Sequence, residues 1–194
     1  MMQCFKPILN AVQNGSHPKA PAEGRFDPTS VMALFFCDQE TLRLLFIQKA
    51  DKQGYTWANQ MAFPGGHQEK TDPDSEQAAL REMEEETGIL RKDVQVIGSV
   101  GHFQTLNNKD IEAWTGVWNG RGEINHDPNE ISRIFKIPLS HLIGIHREKQ
   151  FHFYSTDFTR LIYPYQDVHI WGVTAKIVCH IIDLLLKEPN MDLA

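Results

Sequence analysis

The sequence predicts a mixed α/β (α+β) domain, because strand-like apolar runs lie on both sides of one sharply punctuated amphipathic helix and a second long helix closes the chain. With 194 residues and 41% hydrophobic content, the chain can bury one good core and suits one domain better than two. Residues 14–29 are rich in Gly, Pro and Ser. Residues 1–29 are therefore expected to form an N-terminal extension and lead-in, with the domain spanning 30–194.

The runs SVMALFFC (30–37) and LRLLFIQK (42–49) are short and rich in strand formers, and Asp38-Gln39-Glu40-Thr41 separates them, which predicts a hairpin. A second strand region covers Val94 to Val100 and Ala113 to Trp118, with a turn near Asn119 to Gly122. Between them, Asp74 to Thr87 reads as a helix. Its start is either Asp72 as cap with Pro73 in the first helical position, or Asp74 as cap with Gln77 in a box-like relation. Gly88 supplies a left-handed stop. The last helix is predicted from Trp171 to Lys187, where Ile177, Ile181, Leu184 and Leu185 recur at helical spacing. There is no internal repeat or low-complexity tract.

A formal charge of -6 provides no basic field, which argues against capture of long nucleic acid or an anionic membrane. The three cysteines, Cys4, Cys37 and Cys179, are far apart and form no CxxC. They read as reduced thiols. No stretch approaches the roughly 18 uninterrupted apolar residues of a membrane span, and the start has no apolar run of signal-peptide length. A cytoplasmic location is expected.

The chemistry concentrates in Gly65 to Ile89, GGHQEKTDPDSEQAALREMEEETGI. At roughly 100° per residue, Glu82, Glu85 and Glu86 fall within an arc of about 100°, while Leu80, Met83 and Thr87 share the opposing side. Glu84 points elsewhere. Like charges at this spacing repel, and the last turn of a helix disfavours negative charge. One reading is a solvated acidic face. The other is a site where a hard cation such as Mg²⁺ turns repulsion into attraction. Arg81 can hold a neighbouring carboxylate, and Gly65 and Gly66 permit close backbone approach to a ligand.

Arg81-Glu82-Met83-Glu84-Glu85-Glu86-Thr87-Gly88-Ile89 resembles the second half of the Nudix box, REUxEExGU with U apolar, at all nine positions. In the first half, Asp72 stands where the box has Glu, and eight residues rather than seven separate it from Arg81. The strings WANQMAFPGG (57–66), Ile137-Pro138-Leu139-Ser140 and IWGVTA (170–175) resemble the coenzyme A pyrophosphatase-like branch of that family. The stretches LFIQKA and DKQGY match that branch loosely, and the basic residue expected near position 54 or 55 is absent.

The resemblance implies a Nudix-type α/β/α sandwich with a mixed sheet, and metal-dependent cleavage of a diphosphate bond in a small nucleotide substrate. Mg²⁺ or Mn²⁺ is the implied cofactor. Together with the helix geometry it implies Glu82 and Glu86 as metal ligands, the Gly66 carbonyl completing coordination, and Glu85 sharing a metal or helping to activate water. Arg81 would orient the carboxylates. Glu130, in HDPNEI, is the preferred further catalytic acid, ahead of Glu112 and Glu123. Gly65, Gly66 and Lys49 are expected to contact substrate. Which carboxylate acts as base stays open.

Coenzyme A or its acyl form leads the substrates, followed by ADP-ribose-like nucleoside diphosphate sugars and oxidised nucleoside triphosphates. The reading of another class is a non-catalytic nucleotide-binding module, whose mark would be a lost box carboxylate; none is lost. A homodimer is an admissible assembly. Nine histidines form no HExxH, and no GxSxG, Walker or Rossmann pattern occurs. Most of the histidines read as surface or structural, with His67, beside the glycines, and His102 among those that could touch substrate. Trp57, Trp114, Trp118, Trp171, Phe103 and Tyr165 could stack on adenine, although such residues more often pack a core.

Overall fold

The computed structural model describes residues 5–23, 26–51 and 57–188. In chain order the elements are α1 (Lys6–Asn14), β1 (Asp27–Asp38), β2 (Thr41–Lys49), β3 (Met61–Ala62), β4 (Gly65–His67) and α2 (Ser75–Thr87). Then follow β5 (Val94–Gln104), β6 (Lys109–Trp118), β7 (Ile131–Pro138), α3 (Leu139–Glu148), β8 (Tyr163–Tyr165), β9 (Val168–Ile170) and α4 (Gly172–Leu185).

The expected first hairpin forms, with Asp38 opposite Thr41. Gln39 and Glu40 both take left-handed backbone, φ 46 and 64, as a two-residue type I′ turn requires. β5 and β6 also pair antiparallel, but they extend to Gln104 and from Lys109, beyond the predicted strand ends. Their turn lies at 105–108, closed by Thr105 N–H donating to the Lys109 carbonyl at 2.9 Å. Asn119 to Gly122 forms the exit from β6.

β1 runs parallel to β6, while β2, β4 and β7 make antiparallel pairs, so the sheet is mixed with central order β3-β2-β1-β6-β5. Alternation along β1 divides the interior. Met32, Leu34 and Phe36 face α2 and meet Ala79, Leu80 and Met83. Val31, Ala33 and Phe35 face the opposite layer, where α4 contributes Ile177, Val178, Ile181 and Ile182. Each fully buried Leu, Ile, Val, Met or Phe among them is worth about 1.5–3 kcal/mol relative to exposure. The result is helix, sheet, helix, the predicted sandwich.

Two boundaries differ from the sequence reading. β1 begins at Asp27, inside the expected lead-in. α1 packs against α4 and β5, with Ile8, Ala11 and Val12 buried in the shared core because their i, i+3, i+4 spacing makes one apolar face. Among the described residues, no helix is long and apolar enough to cross a membrane. Cys37 is half-buried and Cys179 buried, both free thiols; Cys4 lies outside the described residues.

Candidate active site

The start of α2 is settled by hydrogen bonding. Asp74, extended, accepts from the Gln77 backbone N–H at 2.8 Å and is the cap. Asp72 is thereby released for another task. Its two oxygens take Arg81 Nε and Nη2, both at 3.0 Å, and one also accepts the Glu69 N–H at 2.8 Å. The Arg81 bonds, then that backbone bond, hold the Asp72 carboxyl below the usual carboxylate range. The departure from box spacing costs no contact with Arg81, because Asp72 sits in the loop ahead of the helix.

Arg81 then spreads its remaining donors. Nη1 reaches Glu82 at 2.9 Å and Glu85 at 3.1 Å, and Nη2 reaches the His67 carbonyl at 3.1 Å. The Asp72 bond above all drives the Arg81 pKa higher still. The guanidinium is thus a brace between the Gly-rich strand, the loop and the helix.

The three carboxylates expected to act together are graded by depth. Glu86 is 6% exposed and accepts from Lys49 Nζ and, at 2.9 Å, from the Gly65 N–H. Burial raises its pKa, and the Lys49 charge and bonds oppose that shift. Glu82 is half-buried. Glu85 is exposed, with Arg81 as its partner. Glu84 does point away, to Arg91 Nε at 2.8 Å. A 100° arc on a helix lying against a sheet runs from interior to solvent, so a shared arc does not mean shared burial.

A cavity of about 460 Å³ gathers Lys49, Gly65, Gly66, Glu82, Glu86 and Glu130. His67, Glu69 and Asn129 complete its polar wall. Glu85 is not among the lining residues. Gly66 has a steric reason for being glycine: a Cβ there would stand 2.5 Å from both carboxylate oxygens of Glu82. Glu130 stands exposed at the rim just before β7, and its carbonyl accepts from the Ala50 N–H at 2.8 Å. Four carboxylates against one lysine make this cavity repel an anion unless cations are bound with it. Among the described residues no three His, Cys, Asp or Glu side chains form a ready-made cation cage. The carboxylates and the Gly66 carbonyl nonetheless offer oxygen donors, the chemistry that hard divalent cations take.

A second chamber, about 360 Å³, lies between β1, β6 and the first turns of α4, and shares Lys49, Gly65, Gly66 and His67 with the first. Trp57 lines it, while Trp118 and Phe103 are core residues. Trp114 donates to Ser75 Oγ at 3.3 Å, Trp171 is half exposed at the head of α4, and Tyr165 packs edge-on to Phe135. Lys109, whose Nζ is 2.6 Å from His67 Nε2, escaped the sequence reading, since no spacing rule links β4 to β6. Glu112 is a residue of β6: it accepts from Ser75 Oγ and lies 3.7 Å from His102 Nε2. Glu123 is exposed in the loop after β6. Positions 54 and 55 lie outside the described residues.

The NUDIX domain family matches residues 27–159. The chain is 28% identical over 156 residues to the uncharacterized Nudix hydrolase NudL of Pectobacterium atrosepticum, covering 77% of this chain and 78% of the relative. It is 29% identical to NudL of Photorhabdus laumondii, covering 77% of this chain and 80% of the relative. In three dimensions it is similar to a MutT/nudix family protein from Enterococcus faecalis, with TM-score 0.55 and 14% identity over 96% of this chain and 77% of that one. A box helix braced by Arg81, a mixed sheet between helical layers and a family match over residues 27–159 together show that the chain belongs to the NUDIX family and is an enzyme of the Nudix hydrolase class, a pyrophosphohydrolase.

Proposed function

We propose that the protein hydrolyses the diphosphate bond of a nucleoside diphosphate derivative in the Gly65–Gly66 cavity, with divalent metal, and that coenzyme A or acyl-coenzyme A is its first substrate. The cavity's charge carries the reading. A diphosphate would enter a wall bearing Glu69, Glu82, Glu86 and Glu130, with Lys49 the one Lys or Arg in the lining and Arg81 behind it already shared with Asp72 and Glu85, so bound cations would offset the repulsion. Glu82 and Glu86, with the Gly66 carbonyl, would hold Mg²⁺ or Mn²⁺, which supplies neutralisation of phosphate charge and a more acidic water. Arg81 bonds Glu82 at 2.9 Å, and the Lys49 charge opposes the upward pKa shift that burial gives Glu86. Glu130 at the rim and Glu85 near solvent remain the candidates for proton transfer from water.

The coenzyme A reading rests on the WANQMAFPGG and IWGVTA strings and on Lys109 with His67. Among the described residues Lys109 has no carboxylate partner, and it lines the second chamber beside His67, which both cavities share. An extra phosphate there would gain charge-assisted hydrogen bonds worth roughly 1.5–3 kcal/mol. ADP-ribose and oxidised nucleoside triphosphates follow as substrates. We expect Glu82→Gln to lower kcat by about 100-fold or more, as for loss of a transition-state charge stabiliser, and Glu84→Gln to change it little. Equal losses in both variants would contradict the site. Lys109→Met should cut the preference for coenzyme A over its dephospho form; an unchanged ratio removes Lys109 from substrate recognition.

A further inference from the structure

A third cavity, of about 750 Å³, lies between α1, the start of β5 and the end of β6. Val117, in its wall, follows Ile111 of the second chamber by six residues of β6, which is roughly 20 Å at about 3.3 Å per residue. None of its lining residues is shared with the carboxylate cavity or the second chamber. Phe5 and Trp118, both buried, back it. Leu9, Val94 and Val117 are left half-buried against it, so apolar surface from three elements converges on space the described residues do not fill. The volume is ligand-sized. Its charged groups are Lys6, Lys92 and Asp93. Both lysines are exposed, and neither ammonium has a carboxylate partner among the described residues. Asp93 is engaged: its Oδ1 accepts from Asn119 Nδ2 at 2.9 Å, and its carbonyl accepts from the Asn119 N–H at 3.1 Å. The side-chain amides of Asn10, Gln13 and Gln95 also lack partners among the described residues. Two lysines less one aspartate give this wall a net positive charge in a chain whose formal charge is -6.

We propose that this cavity binds an amphipathic monoanion, a small molecule with an apolar body of about ten carbons and one carboxylate at its end. The body covers Leu9, Val94 and Val117, and each methylene so covered tightens binding about three- to fourfold. The carboxylate meets Lys6 of α1 and Lys92 of the turn ahead of β5, and the unpaired amides supply neutral donors. The wall decides the sign and number of charges. A cation would meet two ammoniums and a carboxylate already taken by Asn119. A polyphosphate would bring several negative charges to a wall with a surplus of one positive charge, beside Asp93. A neutral chain would gain the apolar contact and leave both lysines unanswered. Because the ligand touches α1 and the sheet together, and the unfolded chain offers no such site, its binding raises the stability of the fold.

The test titrates decanoate into the full chain by calorimetry, below the concentration at which it forms micelles, with pentanoate and decyltrimethylammonium as probes of length and charge. Decanoate should bind one per chain, about tenfold or more tighter than pentanoate, and should raise the melting midpoint. Decyltrimethylammonium should bind at least about tenfold more weakly than decanoate. Lys6→Met and Lys92→Met should each weaken decanoate about threefold or more. Gln13→Glu and Gln95→Glu place a negative charge on opposite walls at exposed positions, and each should weaken it to a similar extent. Melts without ligand confirm that these variants fold. Lys109→Met, in the second chamber, should leave decanoate affinity within about twofold of the wild type. Absence of saturable binding, equal binding of the ammonium and the carboxylate, or an affinity indifferent to all four wall variants would overturn the proposal. So would loss of binding in Lys109→Met with the wall variants unaffected, which would put the chain in the second chamber.

Discussion

Glu82 and Gly66 show how one missing atom can serve chemistry more than stability. The carboxylate occupies the space a Cβ at position 66 would need, and its far end belongs to a flexible side chain that can swing aside. Gly66→Ala should therefore shift stability by no more than about 1 kcal/mol while displacing a proposed metal ligand. Turnover should fall at least tenfold with the melting midpoint nearly unchanged; a matched fall in both would mean that Gly66 is structural. Lys49 and Glu86 behave in the opposite way. Removing one member of a buried pair strands the other, so Lys49→Met should destabilise by about 3 kcal/mol, and Glu86→Gln added to it should restore a good part. Denaturant midpoints of the two single variants and the double variant measure this coupling. Additive losses would show that the pair is not coupled. The sequence made Glu82, Glu86, Arg81 and both glycines legible because a helix and a loop fix them locally. Lys109, beside the second chamber, and Asn129, in the cavity, were not legible, because β4–β1–β6 pairing and the long excursion before β7 place them and no local periodicity encodes either; Glu69 lies in the box loop itself, where no spacing singled it out.

At the level of elements, α2 followed the sequence reading closely, since Asp74, Gly88 and the Leu80–Met83–Thr87 face each act within a turn or two. α1 was not read because it is only nine residues long, with Lys, Asn and Gln interrupting its apolar positions, and it gains its stability only from α4 and β5. α4 carries a feature that only packing reveals. His180 is 1% exposed among Phe103 and Phe153, and its Nε2 lies 3.3 Å from His17 Nδ1. Burial first, then the neighbouring His17, push its pKa down to about 4. The folded protein thus prefers a neutral ring, and this contribution is fully present above the unfolded value near 6.5. It is lost as pH falls from there towards 4, where the unfolded chain binds the proton first. The fall amounts to about 3 kcal/mol across the window. Nearby Asp183, whose own burial is outweighed by bonds from His146 and the Phe153 N–H, is held low and titrates below that range. His180→Phe should flatten the drop in melting temperature between pH 7 and 4.5. Parallel curves for wild type and variant would assign the acid sensitivity elsewhere.

On the scale of the whole molecule, the sheet separates two tasks. Its α2 face and the β4 loop bring carboxylates and Lys49 to one cavity, with Arg81 bracing Glu82 and His67 there, while the α4 face offers a more apolar chamber across the same strand. The parallel β1–β6 pair makes this possible, because Thr29 lies beside Ile111 and Ser30 beside Glu112 in register, presenting alternate residues to opposite layers. The mixed α/β class was legible from the order of strands and helices, and the sandwich from the family resemblance. The second chamber was not, as its walls come from β1, β3, β6 and α4, which lie far apart in sequence. The central claim is cation-dependent diphosphate hydrolysis at the Gly65–Gly66 cavity. The measurement that tests it most directly follows product formation from coenzyme A, dephospho-coenzyme A, ADP-ribose and an oxidised deoxynucleoside triphosphate, with matched Mg²⁺ and then with EDTA, by mass spectrometry. The account predicts cleavage within the phosphate chain that stops with EDTA, and highest efficiency for coenzyme A, giving 4′-phosphopantetheine and adenosine 3′,5′-bisphosphate. Cleavage that persists in EDTA, or products in which the phosphate chain of every substrate is intact, would contradict it.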